Sequence, residues 1–240
     1  MKALLYDLSN GRALRQCSVS RHHYNDPAGT NQIPYLQPSQ MIIEDRTTHL
    51  DLGASTVPRN PYGMEKLFAV DVQDLQASGH ETTYVQCDFA LNSLPFPDNF
   101  FDSVSAYDVL EHIPRQVLLE SQNKISFPFI KLMDEIFRVL KPGGRFLALT
   151  PGYPRPEAFQ DPTHVNIITL NTVLYFCGEQ PTAKMYGFKG RFQCQINRFD
   201  AHANFLSAEV PRWRQLLRRL HRKYLKDGLT HIVWELTSVK

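Results

Sequence analysis

Gly53, Asp71 and Asp88 follow or close three short apolar runs, and each is a residue type that can meet a nucleoside. Gly53 follows Leu50-Asp51-Leu52 in the run Leu50-Asp51-Leu52-Gly53-Ala54-Ser55, where the missing Cβ lets backbone pass close to a ligand. Asp71 ends Leu67-Phe68-Ala69-Val70 and lies 18 residues beyond Gly53. An acidic side chain at that point can accept from both hydroxyls of a ribose. Cys87-Asp88-Phe89 closes a third run, with a carboxylate for an exocyclic amine and an aromatic neighbour for a purine face. A fourth run ends in Tyr107-Asp108-Val109-Leu110-Glu111-His112. Singly, a glycine after a strand is a turn and a strand-ending aspartate is a helix cap. Together, on one edge of a sheet, they describe an adenosine-shaped pocket.

Strands must hold these ends in line. The sequence predicts strands over His49–Gly53, Leu67–Asp71, Thr83–Cys87, Asp102–Tyr107 and Arg145–Thr150, short and apolar as in a parallel sheet covered on both faces. Phe129, Ile130, Met133, Ile136, Phe137 and Leu140 recur at helical spacing, with Ser126 as a cap and Pro128 in the first turn. Lys141-Pro142-Gly143-Gly144 should stop that helix. Arg191–Ile196 and His231–Leu236 read as two further strands. Between them an amphipathic helix, Pro211–Lys226, carries seven basic residues and an expected core face of Trp213, Leu216, Leu217, Leu220 and Tyr224. The basic run reads as a solvated face that favours anionic over cationic ligands. The fold class expected is α/β, a doubly wound, Rossmann-like sheet in a single domain over residues 1–240. Residues 1–45 would form a lid or loop segment, 46–152 the nucleoside-binding core, and 153–240 the remaining insertions and C-terminal strands.

The run from Leu50 to Pro151 resembles the core of the class I S-adenosylmethionine-dependent methyltransferases, in particular the broad ubiquinone-methyltransferase-like, type 11 group. The resemblance rests on Leu50-Asp51-Leu52-Gly53, Val70-Asp71, Cys87-Asp88-Phe89, Leu94-Pro95-Phe96, Phe101-Asp102, Val109-Leu110-Glu111-His112 and Leu140-Lys141-Pro142-Gly143-Gly144. It implies a seven-stranded, mostly parallel sheet with an antiparallel last strand, and S-adenosyl-L-methionine as cofactor. The cofactor-binding set it implies is Asp51, Gly53, Ala54, Asp71, Val72, Asp88, Phe89 and Tyr107. The first turn departs from the family, which places two or three glycines where this chain has Gly53-Ala54-Ser55-Thr56-Val57-Pro58. Either the donor is held in a slightly altered way there or donor affinity has been lost, leaving a non-catalytic binding or scaffold protein.

Methyl transfer from a sulfonium is an in-line displacement, so positioning supplies much of the catalysis and no metal is required. A hydroxyl acceptor gains from a base, and His164, in Asp161-Pro162-Thr163-His164, and His112 are the candidates. The plain reading is that Asp161 and Thr163 cap a helix, that His164 is a surface residue and that His112 opens a helix beside the donor. His22 and Tyr24 in the N-terminal segment would border the acceptor. The Tyr107-Asp108-Val109-Leu110 run replaces the Asn/Asp-Pro-Pro-aromatic run of enzymes that methylate base amines, which argues against nucleic acid as partner. A small-molecule or glycan acceptor is expected. The missing G-x-G-x-x-G counts against the nearest rival, a nicotinamide-dependent oxidoreductase.

Bulk properties add exclusions. The 240 residues carry a net charge of +2, which gives no whole-molecule case for a polyanion or a membrane surface. Cys17, Cys87, Cys177 and Cys194 form no C-x-x-C pair, so neither a zinc site nor a disulfide framework is expected. No apolar stretch approaches the ~20 residues of a membrane span, and a cytoplasmic location is expected.

Overall fold

The computed structural model describes residues 46–75, 82–119, 123–202 and 228–240, with Trp213, Leu217, Leu220 and Tyr224. The expected lid over 1–45, including His22 and Tyr24, lies outside the described residues, as does Leu216.

Seven strands form one sheet: β1 (Thr48–Leu52), β2 (Lys66–Asp71), β3 (Thr82–Gln86), β4 (Phe101–Tyr107), β7 (Leu140–Pro151), β8 (Phe192–Asp200) and β9 (His231–Ser238). Their order is β3-β2-β1-β4-β7-β9-β8. The pairs from β3 through β7 are parallel, while β9 runs antiparallel to both β7 and β8. The expected sheet is present, including the antiparallel last strand. Leu52 is level with Val70 on one side and Ala106 on the other, and Asp71 with Gln86. That register brings the Gly53 turn, Asp71, the Asp88 turn and Asp108 out of the same edge. A hairpin of β5 (Val117–Leu119) and β6 (Lys124–Ser126), not foreseen from the sequence, stands outside the sheet.

Helix α1 (Pro128–Val139) covers one face, burying Phe129, Leu132, Met133, Ile136 and Val139. Pro128 is its first residue, but Ser126 ends β6 and Phe127 occupies the cap position without a side-chain bond. Strand β7 starts directly at Leu140, and 141–144 bulge out of the ladder because Phe101 pairs Leu140 while Ser103 pairs Arg145. Arg138 donates to Leu94 O, Phe96 O and Asp98, fastening the proline turn before β4 to the helix. Phe68, Phe96, Phe100 and Phe101 then pack with rings at 4.8–6.2 Å.

The other face differs from the expectation of apolar strands. His49 and Asp51 on β1 and Ser103 and Ser105 on β4 point into it, all fully buried. The Ser105 hydroxyl donates to Asp51 Oδ1 at 2.6 Å, so its oxygen must accept from His49 Nε2 at 2.8 Å. His49 Nδ1 then accepts from Ser103 at 2.7 Å. Over this network lies the connection between β1 and β2, which contains Pro58 and Pro61 and forms no helix. Its Arg59 N–H donates to Asp51 Oδ2 at 2.7 Å, the Arg59 guanidinium covers the Tyr107 ring, and Tyr62 stands edge-on to His49.

The C-terminal amphipathic helix also departs from expectation. Trp213, Leu217, Leu220 and Tyr224 are helical, yet they are exposed rather than a core face. Among the described residues no helix is long and apolar enough to cross a membrane.

Burial pushes the Asp51 carboxyl up to about 7 and the His49 imidazole down to about 3. Folded Asp51 therefore keeps a proton that an ordinary carboxyl at 3.8 has lost, and its contribution to stability falls as pH rises towards 7. Folded His49 lacks a proton that an ordinary imidazole keeps up to 6.5, so its contribution rises with pH from about 3. The opposing slopes, each at most about 1.4 kcal/mol per pH unit, offset one another between pH 4 and 6.5. Relative to the parent, His49→Gln should lose stability with rising pH across that window, and Asp51→Asn should gain it. Urea midpoints at a series of pH values test this, and parallel curves for all three proteins would refute it.

Candidate functional site

Gly53 takes φ +65°, and its N–H and that of Ala54 turn back to Val70 O at 2.8 and 3.3 Å. A Cβ here would stand 2.4 Å from Val109 Cγ2, so the glycine's bare face is needed first by Val109 of the neighbouring strand end. Where the family has further glycine, Ser55 adopts φ +51° and its N–H donates to Asp71 Oδ2 at 3.0 Å. Asp71 Oδ1 accepts from Gln73 N at 3.0 Å. The glycine-poor loop is thus folded onto Asp71. One bond per oxygen leaves the carboxylate lone pairs for a diol.

Asp88 is exposed, and its Oδ1 accepts from Ala90 N while its main-chain oxygen accepts from Leu91 and Asn92. Val72 is exposed on the same rim. These residues fit an adenosyl group. Three others of the sequence-derived set stand elsewhere. Asp51 has both oxygens engaged beneath the loop, Phe89 is buried in the main core, and Tyr107 is buried under Arg59. Ala54 is buried beside Gly53. Of the donor set, the rim brings together Gly53, Asp71, Val72 and Asp88.

Histidines and carboxylates gather at the ends of β4 and β7. A 3₁₀ turn, Leu110–His112, leaves β4, and residues 161–167 are clamped onto it. Val165 and Asn166 N–H both donate to Glu111 O at 2.9 Å, and Asn166 Nδ2 donates to Leu110 O. Arg115 in turn holds Asn166 Oδ1 and Ile167 O. The clamp sets the His112 and His164 rings edge to face at 4.8 Å. Asp161 and Thr163 form a local turn rather than a helix cap, with Asp161 Oδ1 accepting from the Thr163 amide and hydroxyl at 2.7 Å. His164 is no surface residue, since its side chain is 9% exposed. His112 ends its short turn instead of opening a helix.

Between them Glu111 is almost wholly buried, with Oε2 accepting from Thr150 at 2.9 Å and Oε1 without a hydrogen-bond partner. Burial pushes its carboxyl up to about 7, aided by Asp108 and Asp161 and opposed by Thr150. Asp108 Oδ2 lies 2.8 Å from His202 Nε2, and Oδ1 lies 3.1 Å from His231 Nε2. Burial works to raise the Asp108 carboxyl, but these imidazoles outweigh it and hold it well below the carboxylate range.

Glu111, Asp108, Thr150, Asn166, His202 and His231 were not singled out from the sequence. Glu111 and Asp108 lie inside a run that the resemblance already marked. His164, His202 and His231 are 53, 91 and 120 residues beyond Glu111, so spacing offers no signal.

The sheet order with its single antiparallel strand, and the acidic rim beyond the glycine turn, define the class I methyltransferase fold, whose methyl donor is S-adenosylmethionine. Residues 60–148 match the family model described as a methyltransferase domain. The chain is 31% identical over 149 residues to the sterol 24-C-methyltransferase of Yarrowia lipolytica, covering 57% of this chain and 32% of that protein. It is 28% identical over 133 residues to the demethylmenaquinone methyltransferase of Symbiobacterium thermophilum, covering 55% and 43%. It spans less than half the length of these curated relatives. A solved S-adenosylmethionine-dependent methyltransferase from Mesorhizobium loti aligns with a TM-score of 0.47 and 13% identity, over 83% of this chain and 96% of that one.

The Gly53–Val109 contact is open to test. Gly53→Ala brings both a left-handed strain of about 1–2 kcal/mol and the Val109 clash. Combining it with Val109→Ala should recover part of the loss, read as non-additivity in urea unfolding. Strict additivity would show that Val109 does not press on the glycine.

Proposed function

We propose that the chain transfers a methyl group from S-adenosylmethionine to a hydroxyl of a small or glycan-like, anionic acceptor. The observation that carries this reading is the division of one sheet edge. Asp71 and Asp88 form an acidic rim with spare acceptor capacity beyond β2 and β3. Glu111, His112 and His164 gather beyond β4 and β7. The bound donor supplies a methyl on a sulfonium, ready for in-line displacement. Asp71 is suited to the ribose hydroxyls and Asp88 to the adenine amine. The Gly53 turn, narrowed by Val109, would meet the methionine portion. On the acceptor side, the Glu111–His112–His164 cluster would act on the hydroxyl's proton, and the 161–167 clamp would fix its geometry. Because both curated relatives are named for lipid-soluble acceptors, a sterol and a demethylmenaquinone, an acceptor screen should pair such compounds with phosphorylated sugars and glycan intermediates.

Calorimetry should show micromolar binding of S-adenosylmethionine and of its demethylated product. Binding of a nicotinamide dinucleotide in their place would overturn the reading. Asp71→Ala should weaken donor binding roughly ten- to a hundredfold, the loss of a charged acceptor worth about 1.5–3 kcal/mol. Thermal unfolding run alongside separates this from loosening of the Ser55 and Gln73 turns. With an acceptor in hand, His164→Gln should lower turnover at least ~10-fold at unchanged donor affinity. Lost donor binding would instead place the 161–167 segment against the donor.

A further inference from the structure

The geometry points to a divalent transition-metal site of the zinc type, formed by Glu111, His112 and His164 at the acceptor end of the sheet edge. One ligand atom from each of the three residues lies within 4.8 Å of the other two. Two histidines and a carboxylate form a donor set that zinc and ferrous iron share, with coordination positions left open. No cysteine is needed, which is why the absence of a C-x-x-C pair gave no hint of it.

The hydrogen-bond network fixes which ring nitrogens carry the lone pair. The Thr163 hydroxyl donates to Asp161 Oδ1 at 2.7 Å, so at 3.0 Å it can only accept from His112 Nδ1–H. A carbonyl only accepts, so His164 Nδ1–H donates to Ala158 O at 3.4 Å. Both rings therefore present Nε2 with a lone pair. Such outer contacts, a carboxylate-backed hydroxyl on one ring and a carbonyl on the other, hold metal-binding imidazoles in the ligating tautomer. Glu111 is anchored likewise, with Oε2 on Thr150 and the buried Oε1 unpartnered. His164 Nε2 and Glu111 Oε1 face one another at 4.0 Å. The Nε2 lone pair and the unpartnered Oε1 face a common space in which a cation can be held. Ligand atoms around a tetrahedral zinc are about 3.3 Å apart, so the pair must draw in by roughly 0.7 Å, a side-chain adjustment.

The neighbouring Asp108–His202–His231 group offers the same residue types but is already closed. Its Asp108 Oδ2 already holds His202 Nε2 in a 2.8 Å hydrogen bond, and His231 Nε2 lies 3.1 Å from Oδ1, so a cation would have to displace the His202 contact and part the His231 pair. The Glu111 group has no such contact to lose.

Cation binding stands independently of the methyltransferase reading; its role in transfer rests on that reading. There, the acceptor hydroxyl occupies an open coordination position and loses its proton to water. The oxygen then forms its bond to the methyl carbon as the carbon–sulfur bond breaks, leaving the donor a neutral thioether. His164 contributes as a ligand, and the cation rather than the imidazole acidifies the hydroxyl.

The test uses the full chain, stripped with a chelator and titrated with Zn²⁺ against a chromogenic competitor. Cobalt(II) absorption reports the coordination sphere. One tight equivalent is expected, with affinity at least roughly tenfold lower in Glu111→Gln, His112→Gln and His164→Gln, and with altered cobalt bands in each. His231→Gln should retain the full equivalent. Thermal unfolding of the metal-free variants identifies any that fail to fold, and the partly exposed His112→Gln keeps the test available if Glu111→Gln does. Absence of a tight equivalent, or one lost only in His231→Gln, overturns the proposal. Donor calorimetry on the same samples keeps the two readings apart. Zinc bound without donor binding would sink the methyltransferase reading alone, and donor binding without zinc would sink the metal site alone.

Discussion

The Asp51 carboxyl ties the paired strands β1 and β4 to the loop that covers them. One oxygen takes the Ser105 hydroxyl from the adjacent strand, and the other takes the main-chain N–H of Arg59. A buried carboxyl with an unmet oxygen is costly, so the β1–β2 connection must stay down on the sheet. That connection carries the Gly53 turn at its start, and it covers His49 and Tyr107 with Tyr62 and Arg59. This edge of the sheet is shaped from behind by polar burial.

The sheet was legible because its strands are short apolar runs ended by turn or acidic residues. All seven expected strands are present within a few residues of their expected bounds, except β7, which begins at Leu140. The acidic rim could be read for the same reason. Asp71 and Asp88 sit where a parallel strand stops, and strand ends are visible in sequence. What could not be read was which way Asp51, Phe89 and Tyr107 point. Asp51 and Tyr107 belong to the polar second face, and Phe89 belongs to the main core. A one-residue step decides the face of a strand, and that step depends on the register of neighbours.

The acceptor end was less legible, for another physical reason. Glu111 and His112 are adjacent in sequence, but His164 reaches them only through the clamp of Val165 and Asn166 on Glu111 O. Such a contact is made by main-chain groups, which every residue possesses, so no residue type announces it. The helical positions Trp213, Leu217, Leu220 and Tyr224 mislead in the opposite sense. Their spacing predicts a buried stripe, yet the stripe is exposed. Periodicity reports that a helix has two faces, not how deeply the apolar one is covered.

Strand β9 lies between β7 and β8, and its first residue, His231, pairs with Pro151 and reaches Asp108. A strand made late therefore fills the middle of one wing of the sheet, and β8, made before it, has only β9 through which to join the others. During vectorial synthesis the residues of the acidic rim, all before position 90, leave the ribosome long before the strand that completes the opposite end. Nascent chains must then keep the β7 edge open, and Asp108 Oδ1 without His231, until β9 arrives, an interval in which an open strand edge is exposed to neighbouring chains.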